Sequence, residues 1–199
     1  MSGTTNTLVE ISDYLYKRNP DAANETINKL ANKYAGVLDE LYEKEETKQD
    51  VAAFLQGRFD YIRSFTKNLF TLFEEKIILA QGEILSTTMF THYLVEKGVD
   101  AVLLPALEYM RVDKNGEPNS EYIRENLEKL VAEHPEADLF ITQGFICLNA
   151  YGEIDNLLRG GSDYTASLIG AAVKAEEIQI WTDIDGMLVP VVDPPVYNV

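Results

Sequence analysis

Four short stretches carry residue types that could do chemistry, and each sets a polar group where a helix or strand is expected to begin or end. The most informative is Arg159-Gly160-Gly161-Ser162-Asp163-Tyr164-Thr165-Ala166. Two glycines let a backbone approach a ligand closely, and a helix starting just after them aims free N–H groups and its positive dipole end at that ligand. Arg159 adds a planar fork suited to a carboxylate or phosphate, and Asp163, in the first helical turn, could hold an ammonium or position a cation. The same letters also fit an ordinary loop with an aspartate cap and a solvated arginine. The second stretch, Ile180-Trp181-Thr182-Asp183-Ile184-Asp185-Gly186, reads as a strand ending in Thr-Asp. Open α/β sheets bind ligands at such ends, where Asp183 and Asp185 could face a metal-bound phosphate or simply be solvated in a turn.

The third stretch, Ala80-Gln81-Gly82-Glu83, places a glycine and a glutamate where a helix is expected to begin. A capping carboxylate explains it equally well. The fourth, Met1-Ser2-Gly3-Thr4-Thr5-Asn6, is small and hydroxyl-rich ahead of a helix, and a plain N-cap accounts for it too. Other chemistries find no support. There is no P-loop, no G-x-G-x-x-G and no G-x-S-x-G elbow, and His92 and His134 stand far from any second metal-ligating histidine or cysteine. No metal site is therefore expected within the protein. Cys147 lies in an apolar run and reads as a core residue.

Composition narrows the partners. A formal charge of −16 and a pI near 4.4, with no basic cluster, exclude nucleic acid. An anionic ligand must then be drawn in by a few local groups. No apolar run is long enough to span a membrane, and 1–15 lack the pattern of a secretory signal. A single cysteine forbids an intrachain disulfide and suits the reducing cytoplasm.

The elements that must position these residues follow from periodicity. Leu8, Ile11 and Leu15 open an amphipathic helix that Asn19-Pro20 should end. Ala23, Ile27, Leu30, Tyr34, Val37, Leu38 and Leu41 mark a second. Val51, Leu55, Phe59, Ile62, Leu69, Phe73 and Ile77 form a third stripe, and a fourth helix is expected from Glu83 to Lys97, stopping at Gly98. Tyr14, Tyr34, Phe59, Phe65 and Phe73 read as packing aromatics between these helices. Beyond Gly98 the pattern changes to strands at 99–104, 139–142, 145–148 and 178–181, with helices from a Ser120 cap and from about Ser162 to Lys174. Alternating strands and helices imply an α/β fold with a mainly parallel sheet between helical layers.

Taken in order, these stretches resemble the aspartate kinases of the amino-acid kinase family. The likeness is closest over Phe140-Ile141-Thr142-Gln143-Gly144-Phe145-Ile146 and over Arg159 to Ala166, and continues through Ala175-Glu176-Glu177-Ile178-Gln179-Ile180-Trp181-Thr182-Asp183. The resemblance implies a three-layer αβα, carbamate-kinase-like fold. A mainly helical, substrate-side subregion would occupy 1–98 and an α/β, nucleotide-side part 99–199, without regulatory ACT domains. It also implies ATP-dependent phosphorylation of the side-chain carboxylate of L-aspartate, with Mg²⁺ bridging the phosphates, on the way to lysine, threonine and methionine. Carried over by position, Arg159 would clamp a substrate carboxylate, and Glu83 and Asp163 would face its ammonium. Thr5 would line the pocket, Gly160 and Gly161 would turn N–H groups to the phosphates, and Thr182 and Asp183 would lie against the nucleotide. Arg159 and Asp163 would be catalytic.

The sequence also departs from the family pattern. That pattern opens with a strand and a Lys-Phe-Gly-Gly-Thr-Ser motif, whose lysine neutralises the transferred phosphoryl group. These 199 residues hold no lysine in a comparable glycine-rich context. Losing such a group costs about 3 kcal/mol of transition-state stabilisation, so the chain alone is expected to be inactive. Leu158 replaces a glycine before the arginine, and Asp193-Pro194-Pro195 stands where the family has Asp-Pro-Arg. The expectation is a truncated or mis-started piece, or a degenerate paralogue. The alternative function is a non-catalytic amino-acid or nucleotide-binding or interaction module. Missing strands would bare sheet edges, so self-association into a homodimer or larger assembly is expected.

Overall fold

In the computed structural model the described residues are 2–157 and 161–181. The front half is four helices: α1 (Thr4–Tyr16), α2 (Pro20–Leu41), α3 (Glu45–Ser64) and α4 (Leu72–Glu96), with a 3₁₀ turn at Phe65–Lys67 before α4. Asn19 caps α2 by accepting the Ala22 N–H, and Pro20 occupies the first turn, where its missing N–H costs nothing. The predicted stripes converge. Leu8, Ile11, Ala23, Ile27, Tyr34, Val51, Phe59, Ile62, Ile78 and Leu85 form one buried cluster, with the Tyr34 and Phe59 rings edge-on at 5.7 Å.

The third stripe breaks where the sequence reading ran it on. Leu69 is 74% exposed and Phe73 41% exposed, so neither joins the core. The chain instead restarts at Thr71, whose side chain accepts the Phe73 N–H while Glu74 bonds back to the Thr71 N–H. This capping box begins α4 at Leu72, so Gly82-Glu83 lie inside a helix rather than at its start. The end was foreseen: α4 closes at Glu96, and Gly98 takes φ +84°, which a side chain would resist.

In the second half β1 (Ala101–Leu104) pairs in parallel with β2 (Leu139–Thr142), in register from Ala101 opposite Leu139 to Leu104 opposite Thr142. Helix α5 (Ala106–Tyr109) and helix α6 (Ser120–Ala132) lie between them in the chain. Asn119, not Ser120, caps α6 by accepting the Tyr122 N–H. The next strand is shorter than expected. β3 (Ile146–Leu148) turns back to pair antiparallel with β4 (Ile154–Asn156), and 110–112 run beside it. Helix α7 (Gly161–Val173) follows, within a residue of its expected bounds.

The strand expected at 178–181 is absent: these residues take no regular structure, and Trp181 is 89% exposed. Ile178 instead folds back over Gly170 of α7, where any β-carbon would meet its side chain. A second buried cluster joins Ala80 and Ile84 of α4 to Leu104, Tyr109, Met110, Ile123, Ile146, Cys147 and Leu157. The long α4 therefore serves as the wall shared by both halves.

Candidate functional site

The site is built around the chain leaving the carboxyl end of β2. Gln143 there is 3% exposed, and both ends of its amide are used. Its Oε1 accepts the Ala106 N–H at 2.7 Å, and its Nε2 donates to Thr87 Oγ1 at 2.8 Å. Thr87 Oγ1 in turn donates to the Glu83 carbonyl at 2.8 Å. A single buried side chain thus ties the tip of the parallel sheet and the start of α5 to the turn of α4 that bears Glu83.

One residue on, Gly144 meets the start of α7. A β-carbon at Gly144 would lie 2.9 Å from Ser162 Oγ and 3.0 Å from its Cα and Cβ. Phe145 takes φ +68°, an uncommon conformation for a bulky residue that must be held from outside. It is held twice. Its N–H donates to the buried Thr165 Oγ1 at 3.1 Å, and its carbonyl accepts the Leu157 N–H at 2.7 Å. Thr165 Oγ1 donates onward to the Gly161 carbonyl at 2.6 Å. Gly161 is buried, and a β-carbon there would fall 3.0 Å from Leu157 Cβ and 3.1 Å from Phe145 Cδ2. Its lack of a side chain is thus required by packing.

The front wall comes from α1 against α4. Gly82 admits Leu8 Cδ1 and Thr4 Cγ2 at 3.3 and 3.6 Å from where its β-carbon would be. Thr4 Oγ1 shares a hydrogen bond with the Tyr34 hydroxyl at 3.1 Å. Glu83 is half-buried beside them, and no described residue hydrogen-bonds to its carboxylate. Burial pushes the Glu83 carboxyl above its ordinary range. Burial also raises the Tyr34 hydroxyl, and the nearby Glu83 charge adds to that after the opposing bond to Thr4. A half-desolvated carboxylate of this kind suits an ammonium that arrives with a ligand.

The predicted residues divide as follows. Thr5 is exposed in the first turn of α1, Glu83 lies mid-α4, Gly161 opens α7 and Asp163 is exposed in its first turn. Gly82 brings the α1 start to the Glu83 turn, Gln143 brings that turn to the sheet tip, and Gly144 brings the tip to α7. Arg159, Gly160, Thr182 and Asp183 lie outside the described residues, as does Asp185. Sequence reasoning gave no role to Gln143, Thr87 or Thr165. Gln143 and Thr165 sit within quoted stretches, but a polar letter does not disclose that it will be buried.

A cleft of about 560 Å³ flanks the start of α7, lined among others by Lys76, Asp155, Asn156, Leu157 and Tyr164. Another of about 560 Å³ lies between Leu15–Pro20 and Phe65–Phe70, and neither cleft is lined by a predicted site residue among those described. Among the described residues no three acidic, histidine or cysteine side chains cluster to hold a metal ion, and no helix is long and apolar enough to cross a membrane.

A parallel pair whose exit bears a glycine against a helix start, packed on the long α4, is the local geometry of a helix-covered α/β fold. A profile of the amino acid kinase family matches residues 3–190, and the chain belongs to that family. It is 28% identical over 189 residues to lysine-sensitive aspartokinase 3 of Escherichia coli, covering 94% of this chain and 41% of that protein. To aspartokinase 1 of Bacillus subtilis it is 32% identical over 115 residues, covering 58% of this chain and 28% of that one. The crystal structure of E. coli aspartokinase III with aspartate and ADP superposes with a TM-score of 0.78 at 27% identity, over 94% of this chain and 41% of that one. The chain therefore spans about two fifths of the length of these E. coli relatives. It is an aspartokinase-like member of the family with its α/β fold.

Proposed function

We propose that the chain binds L-aspartate and ATP and serves the transfer of the γ-phosphoryl group to the aspartate side chain. The product is 4-phospho-L-aspartate, on the route to lysine, threonine and methionine. The observation that carries this reading is the seating of the α7 start against Gly144, just past the end of β2. That start aims the positive end of a helix at the strand tips, beside the Glu83 turn held by Gln143 and Thr87. In this reading Glu83 and Asp163 receive the ammonium of aspartate and Arg159 clamps a carboxylate. Thr5 lines the entry, the Gly160 and Gly161 N–H groups turn toward the phosphates, and Thr182 and Asp183 contact the nucleotide. Mg²⁺, when bound, neutralises the phosphates. The residues of the chain bind, orient and shield. The one buried thiol suits the cytoplasm.

A second reading is favoured by one specific feature. Among these 199 residues no lysine stands in a glycine-rich loop to stabilise the moving phosphoryl group. A polypeptide of these residues alone then binds its ligands without ready turnover. A coupled ADP-release assay with aspartate and MgATP, run beside calorimetry, separates the two. Ready turnover gives the full enzyme reading. Binding without turnover gives the second, and absence of binding overturns both.

We also propose self-association. Among the described residues β1 and β2 pair only with each other, and a bare parallel edge invites another chain. Light scattering that shows a monomer at high concentration would remove this proposal.

A further inference from the structure

Among the described residues, one ion pair joins the helical half of the chain to the α/β half. Lys76 Nζ on α4 lies 2.6 Å from Asp155 Oδ1 on β4, with the two side chains 31% and 20% exposed. The other described ion pairs, such as Lys97 with Glu43 and Arg124 with Glu128, each stay within one half. Asp155 is itself fixed, because its Oδ1 also accepts the Asn156 N–H at 2.7 Å. The amide of Asn156 offers no second tie: both its polar atoms are buried without a partner. Among the described residues no other ion pair or hydrogen bond joins α4 to β4, although the two elements pack closely.

We propose that Lys76 and Asp155 are positioning residues that set the spacing of the two walls of the candidate site. The inference rests on the reading given under Proposed function. Lys76 precedes Glu83 by seven residues on α4, two helical turns, so both lie on one face about 10 Å apart. Asp155 precedes Asp163 by eight residues, and the intervening backbone is gripped through Leu157 by Phe145. The pair therefore pins the strand that feeds α7 against the helix that carries Glu83. A half-buried pair of this kind gives little net stability, since desolvation offsets its attraction, but it selects one register. Without it β4 can shift along α4, and the separation of Glu83 and Asp163 is left to the Gln143–Thr87 bond and the Gly144 contact alone.

The test uses the whole chain with Lys76→Met, Asp155→Asn, the charge-conserving Lys76→Arg and the exchange Lys76→Asp with Asp155→Lys. Amide hydrogen exchange and the affinity for L-aspartate are read for each. Both single neutralisations should speed exchange across 154–165 by about threefold while α1–α3 are unchanged, and weaken aspartate by about fivefold. Lys76→Arg and the charge exchange should return both readouts to within about twofold of the parent. Unchanged exchange in the single variants, or a charge-exchanged chain that behaves like them, overturns the proposal. If the parent binds no aspartate, the proposed function fails, and the exchange data still decide this inference.

Discussion

Gln143 Nε2 donates to Thr87 Oγ1 across 2.8 Å, and this bond joins the tip of the parallel sheet to the helix that bears Glu83. Because Gln143 also accepts the Ala106 N–H, replacing it strands two polar partners at once. Gln143→Ala should cost about 2–4 kcal/mol in urea unfolding. Gln143→Glu keeps the acceptor but loses the donor and buries a charge, so its deficit should grow as pH rises. A loss under about 0.5 kcal/mol for both would show that the bond is dispensable.

The glycines separate into two groups. Gly144→Ala drives a methyl to 3.0 Å from the Ser162 Cα, and Gly161→Ala puts one 3.0 Å from Leu157 Cβ and 3.1 Å from Phe145 Cδ2. Each should destabilise by about 1–3 kcal/mol and weaken any anion at the α7 start. Gly36 and Gly57 lie inside α2 and α3 with nothing within 4 Å of a new β-carbon, so alanine there should add about 0.5–1 kcal/mol. Thermal or urea midpoints of the four variants check both signs.

Glu83 gives a pH dependence. Burial raises its folded-state pKa above the unfolded value, so between the two the folded chain holds more protons. Its contribution to stability therefore falls as pH rises from the ordinary carboxyl range through the raised value. Glu83→Gln removes the titration. The variant should match the parent at the acidic end of that window and be more stable above it, while losing ammonium binding. Urea midpoints across pH test this, and a variant less stable at neutral pH would contradict it.

Cys147 is fully buried, and burial pushes its thiol up to about 12, with Asp155 adding to the effect. Since the thiolate is the reactive form, native protein should react with a disulfide reagent only as fast as it opens. Denatured protein should react at once. Rapid native labelling would contradict the packing at β3.

The helical front half and the parallel pair were legible because apolar periodicity reports burial directly, as Leu8, Ile11 and Leu15 show. Two element errors share a cause: context outweighed local pattern. Leu69 and Phe73 fit a helical stripe, yet the capping box at Thr71 starts a new helix and leaves both exposed. Ile178 and Ile180 alternate as a strand would, yet Ile178 packs on Gly170 instead of a sheet edge. At the site, motif letters pointed to Glu83, Gly161 and Asp163. The buried hydrogen bonds of Gln143 and Thr165 could not be read, because they depend on which segments meet.

The central claim is that the Glu83 turn and the α7 start form one receiving pocket for a small amino acid. Calorimetric titration of L-aspartate into the chain in the presence of MgADP, for the parent and for Glu83→Gln, tests it most directly. The account predicts saturable binding by the parent and a loss of about tenfold or more in the variant, as expected when a charged hydrogen bond is removed. Equal affinities in the two proteins, or no binding by a folded parent, would contradict it.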